Sequence, residues 1–130
     1  MICYLDTSAA MKLLVEEAES DALTNYLQSA AGERQLVASW LLHTELHCAA
    51  NRHPEEVDLE SVGIVLDTVS LVDPTRGDLL TAGTLPGRLR SNDAMHLAVA
   101  LRVGADELIT YDAELDTAAT AAGIVVVHPS

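Results

Sequence analysis

The chain has 130 residues, 49% of them apolar, which suits one globular domain over residues 1–130 and argues against disorder. Seven basic against twenty acidic residues leave a net charge of −13, which excludes a nucleic-acid binder that works through a broad basic surface. No apolar run approaches the roughly 20 residues that cross a bilayer, and the N-terminus lacks the layout of a signal peptide, so a cytoplasmic protein with no membrane partner is expected.

The chain begins with a short apolar run, Ile2 to Leu5, that ends in Asp6-Thr7-Ser8. It reads as a buried strand with a carboxylate at its C-terminal end, where open α/β sheets place ligands. A short helix follows over Ala9–Val15. Ser20 is the expected N-cap of a second helix carrying Leu23, Tyr26, Leu27 and Ala30, which Gly32 stops. Gln35 to Ser39 reads as the next strand, and Trp40 to Arg52 as a helix ending before Pro54. Glu45 falls within that helix's apolar stripe, where an unpaired acid is costly. Pro54-Glu55-Glu56 has helix-start chemistry for a segment reaching about Thr68, with Val57, Leu59, Val62, Val65 and Leu66 inward.

Val69 to Val72 reads as a third strand, and Asp73-Pro74 opens a helix to about Thr84. A loop with Arg88 and Arg90 precedes a helix over Asp93–Val103. Glu107 to Thr110 then repeats the opening pattern, ending at Tyr111-Asp112. A helix over Ala113–Ala122 and a last strand, Ile124 to Val127, complete the chain. Strands alternating with helices predict a parallel sheet covered on both faces. Cys3 and Cys48 lie in apolar segments and read as two buried thiols.

Asp6, Glu45, Asp93 and Asp112 stand out by context. Two end strands and two sit on apolar helix faces near helix starts, so one sheet edge can gather them. Crowded carboxylates raise one another's pKa or bind a cation, and an all-oxygen set selects Mg²⁺ or Mn²⁺. Each acid also has a plainer reading: Asp6 and Asp112 as N-caps, Asp93 as a first-turn acid. Glu45 has none of these. Ser8 and Thr110, beside two of the acids, are placed to support ligands or to form turns. His43 and His47 lack a third ligand spaced for zinc and read as polar-face residues. His96 either orients a carboxylate, touches substrate or packs between helices.

The segments Tyr4-Leu5-Asp6-Thr7-Ser8-Ala9, Thr44-Glu45-Leu46, Asn92-Asp93-Ala94-Met95-His96-Leu97 and Ile109-Thr110-Tyr111-Asp112 together resemble the PIN-domain family. Their order and spacing are similar to those of the VapC-type toxins of prokaryotic toxin–antitoxin pairs. The resemblance implies a three-layer α/β/α fold around a central, mostly parallel sheet of four to five strands. It implies an endoribonuclease dependent on Mg²⁺ or Mn²⁺ and acting on RNA such as transfer or ribosomal RNA. It also implies a homodimer and a VapB-like antitoxin partner. The family's acidic site maps onto Asp6, Glu45, Asp93 and Asp112, with Asp116 as a variable extra acid and Ser8 and Thr110 at hydroxyl positions. Metal-activated water would leave 5′-phosphate and 3′-hydroxyl ends. Arg88 and Arg90, with Arg76 and Lys12, are the available phosphate contacts, and the acidic surface suits a basic antitoxin segment. Two rival readings keep the same acids: a phosphotransfer or receiver-like domain, and a non-catalytic binding module.

Overall fold

A computed structural model describes residues 1–29 and 32–130. The expected helical position Ala30 lies outside the described residues. Among the described residues, five strands form one sheet: β1 (Ile2–Leu5), β2 (Gln35–Ser39), β3 (Ser70–Val72), β4 (Glu107–Ile109) and β5 (Val125–Val127). Every pairing is parallel, in the order β3-β2-β1-β4-β5. β1 is therefore central, with Cys3 opposite both Leu36 and Glu107, and Cys3, Tyr4 and Leu5 fully buried. A strand covered on both faces has no reason to alternate apolar with polar residues, which explains its continuous apolar run.

The helices are α1 (Thr7–Leu14), α2 (Ser20–Ser29), α3 (Leu41–Arg52), α4 (Leu59–Asp67), α5 (Arg76–Ala82), α6 (Ser91–Arg102) and α7 (Ala113–Ala121). α1 packs against α2, α3 and α4, whereas α6 packs against α5 and α7. Right-handed crossovers place these two groups on opposite faces, giving the three-layer α/β/α arrangement. The chain steps outward from β1 to β3, then returns across the sheet to β4. The strand order reverses between β1 and β4, and the C-terminal ends of these two strands flank that point. A receiver-like sheet has the order 2-1-3-4-5, so the observed order removes that rival reading.

Several local expectations are corrected. Ser20 does not cap α2; its hydroxyl accepts the Glu17 N–H and donates to the Val15 carbonyl, closing the preceding turn. α4 starts at Leu59, not at Pro54, because the Asp58 side chain accepts the Ser61 N–H and fixes the helix start there. Leu59 is then 59% exposed, while Val57 before the cap is buried. Only one of the two thiols is interior: Cys3 is buried and Cys48 exposed. α5 begins at Arg76, where Thr75 and Asp78 form a reciprocal capping box. α6 is buried at every position from Ala94 to Ala100, as expected for a helix enclosed by neighbours.

Candidate active site

At the end of β1, Asp6 caps α1 by accepting the Ala9 N–H on Oδ1 at 2.9 Å. The Ser8 hydroxyl donates to Oδ1 at 2.8 Å, and the Thr110 hydroxyl donates to Oδ2 at 2.7 Å. Both hydroxyls in turn accept main-chain N–H groups from the segment after β4. Tyr111 donates to Ser8 at 2.9 Å and Asp112 to Thr110 at 3.0 Å. Two side chains of one hydroxyl each thus tie the ends of β1 and β4 around the Asp6 carboxylate. Asp6 is only 2% exposed, and no basic side chain forms an ion pair with it among the described residues. Burial pushes its pKa up, against the pull of those hydrogen bonds and of His96.

Glu45, Asp93 and Asp112 line one cleft, together with Arg90, Ser91 and Asn92. Burial raises the pKa of Asp93, and the charges of Asp112 and Glu45 raise it further. Asp112 caps α7 by accepting the Leu115 N–H at 2.8 Å, just as Asp6 caps α1. Glu45 meets His96, whose Nε2 lies 2.6 Å from Oε1. The capping and carboxylate-site readings of Asp6 and Asp112 are therefore compatible. A cap uses one oxygen of a helix-start acid that already sits at the sheet edge.

The donor set is all oxygen, as a hard divalent cation requires, and Asp6 is a buried acid without a basic partner. The fit lies in this donor chemistry. Among the described residues no three acidic, histidine or cysteine side chains converge closely enough to grip an ion together. Both Asp6 oxygens are taken up by hydroxyl and main-chain donors, and Glu45 leans on His96.

Other expected residues divide. Arg90 borders the acidic cleft; Arg88 is exposed and lines neither that cleft nor the one beside it. Lys12 is engaged elsewhere, paired with Glu17 at 3.0 Å and Glu19 at 2.9 Å above the Tyr111 ring. Asp116 stands one turn along α7, accepts the Thr120 hydroxyl at 3.2 Å, and borders a separate recess with Asp112 and His128. His43 and His47 stack on each other with centroids 4.1 Å apart. Sequence reasoning passed over Tyr4, Thr7, Asn92 and Arg52. Asn92 lines both the acidic cleft and a second cleft that holds Thr7, Glu45 and Arg52. Arg52 follows Glu45 by two helical turns, a spacing that would have put both on one face of α3.

The PIN domain profile matches residues 3–121. The chain belongs to the PIN domain family. Within this family it is 38% identical over 129 residues to Ribonuclease VapC46 of Mycobacterium tuberculosis, covering 98% of this chain and 97% of that one. It is 37% identical over 134 residues to Ribonuclease VapC35 of the same species, covering 97% and 96%. Among solved structures, the VapBC2 complex of Rickettsia felis bound to a promoter DNA fragment contains a chain with a TM-score of 0.75 at 16% identity, both chains covered in full. VapC20 of Mycobacterium tuberculosis, described as a sarcin–ricin loop cleaving toxin, gives a TM-score of 0.74 at 18% identity, over 98% of this chain and 99% of that one. These likenesses establish a PIN fold with its strand ends gathered at one edge.

Proposed function

We propose that this PIN-domain protein is a VapC-type toxin: a divalent-metal-dependent endoribonuclease restrained by a VapB-like antitoxin. The observation that carries the reading is Asp6, a buried carboxylate with no ion-pair partner among the described residues, joined through the Thr110 hydroxyl to Asp112, which borders a cleft with Glu45 and Asp93. Its support is near-full-length similarity to proteins named Ribonuclease VapC. Asp6, Glu45, Asp93 and Asp112 would hold Mg²⁺ or Mn²⁺, with Asp116 outside this group. When bound, the cation supplies Lewis-acid activation of water and neutralises charge on the phosphodiester.

The chain's own residues do the rest. Ser8 and Thr110 donate to Asp6 and keep its carboxylate at the meeting point of β1 and β4. Asp93 borders the cleft with Glu45 and Asp112 and offers a carboxylate there as a proton acceptor. Arg90 borders the acids and is placed to receive a phosphate oxygen. Asn92, shared by both clefts, offers donors to the RNA on either side. A net charge of −13 favours a basic antitoxin segment over free polyanions, and a homodimer would present two such sites.

Purified protein is expected to cut transfer or ribosomal RNA in Mg²⁺ or Mn²⁺, leaving 5′-phosphate ends. Chelation and Asp6→Asn should each abolish cleavage. Cleavage that survives both would overturn the metal-site reading, and RNA binding without any cleavage would favour the binding module.

A further inference from the structure

His96 lies inside α6 with no exposed surface, so both ring nitrogens need partners within the protein. Nδ1 is 2.7 Å from the Tyr4 hydroxyl. Nε2 is 2.6 Å from Glu45 Oε1 and 3.3 Å from Thr7 Oγ1. The protons on this ring can be assigned from the next link outward. The Ser39 main-chain N–H can only donate, and it donates to the Tyr4 oxygen at 3.0 Å. The single phenol proton is then free for Nδ1. With Nδ1 accepting that proton, a neutral ring carries its own hydrogen on Nε2, facing the Glu45 carboxylate, which when ionised can only accept.

Glu45 has no other side-chain hydrogen bond among the described residues. A free glutamate loses rotamer freedom when it is ordered. A donor that has already ordered it removes that cost from ligand binding. Asp93 and His96 are one turn apart on α6, so one helix contributes an acid directly and steadies a second acid on α3.

We propose that His96 is a positioning residue, holding Glu45 ready as a fixed Nε2–H donor at the end of the chain Ser39 N–H, Tyr4, His96, Glu45. This rests on the reading of Glu45 as a metal ligand given above. A histidine that merely packs between helices would need the volume but not the tautomer.

Heteronuclear NMR of the imidazole nitrogens in the metal-free protein should show a protonated Nε2 and a bare Nδ1 for His96. Tyr4→Phe, which deletes only the hydroxyl, should shift the Nδ1 resonance by removing its donor while Nε2 keeps its hydrogen on Glu45. Mn²⁺ affinity by calorimetry and RNA cleavage should both fall by about 10- to 100-fold in His96→Leu, the usual effect of removing a support behind a metal ligand. His96→Gln, whose amide can donate to Glu45, should recover much of both. A proton on Nδ1 in the wild type overturns the proposal. So does a His96→Leu protein with unchanged Mn²⁺ affinity, or a Gln variant no better than Leu. If His96→Leu does not fold, the wild-type tautomer and the Tyr4→Phe shift decide. Absence of cleavage by the wild type would count against the nuclease reading alone, because the tautomer is read without metal or RNA.

Discussion

The Asp6 carboxylate caps α1 while lying 2% exposed with no basic side chain paired to it. The cap favours the charged form and burial disfavours it, and burial wins, since the pKa is raised. Asp93 is raised in the same direction. A raised pKa means the folded state holds these protons more tightly than the unfolded chain. Their contribution to stability therefore falls as pH rises from the ordinary Asp value of about 3.9 through the raised values. Asp78 acts with the opposite sign and lower on the scale. The Arg102 guanidinium holds it below the usual range, and its contribution is lost as pH drops from about 3.9 through that depressed value. In chelator, the urea midpoint should decline across the window above the ordinary value, and added Mn²⁺ should lift it. Asp6→Asn should abolish cleavage and flatten the decline of the metal-free midpoint across that window, because an amide keeps the Ala9 hydrogen bond and does not titrate. An unchanged decline in that variant would show that Asp6 does not contribute to it.

At the scale of elements, β1 and β4 are joined at both ends by side chains. At the lower end, buried Glu107 accepts from the Tyr26 hydroxyl at 2.8 and 2.9 Å, from Arg34 Nε at 3.3 Å and from the Cys3 thiol at 3.3 Å. Removing Glu107 takes the acceptor from the buried Cys3 thiol, the Tyr26 hydroxyl and the part-buried Arg34, at a cost of about 1–3 kcal/mol. Glu107→Ala should lose roughly that much in urea unfolding, and a loss below about 1 kcal/mol would place the Arg34 pair among weak surface pairs. This knot escaped sequence reading because Glu107 looks like an ordinary strand-start acid, and its partners lie 73 to 104 residues away. The strand-end acids were legible for the contrary reason: an apolar run followed by Asp is a local signal, present at both Asp6 and Asp112. Sheet parallelism was legible too, from the alternation of strands and helices. The early start expected for α4 failed because Pro54-Glu55-Glu56 satisfies generic helix-start chemistry, but only Asp58 makes the cap. The burial expected for Cys48 failed because a cysteine among apolar residues carries no information about which side of a helix faces solvent. The contact of His96 with Glu45 spans 51 residues and depended on the fold.

Across the whole molecule the seven basic side chains divide in a way composition conceals. Lys12, Arg34 and Arg102 are paired with acids, whereas Arg52 and Arg90 border the two clefts that share Glu45. Arg52→Ala and Arg90→Ala, each made in an Asp6→Asn background that cannot cut, should weaken RNA binding. Each should also flatten its salt dependence by about 0.7 in the log–log slope, the value for one single-strand phosphate contact. Arg76→Ala, outside both clefts, is the control, and equal slopes in all three would remove the arginines from the RNA path. The pairing of β1 with β4 has a last consequence. Asp6 obtains Thr110 as a donor, and Ser8 obtains the Tyr111 N–H, only after more than 100 further residues of chain have been added. During synthesis on the ribosome, the first acid therefore emerges more than 100 residues before the means to orient it. A copy that stops short of Thr110 carries Asp6 and Glu45 but lacks the hydroxyl and main-chain donors that orient Asp6 and Ser8, so it has no assembled cutting edge.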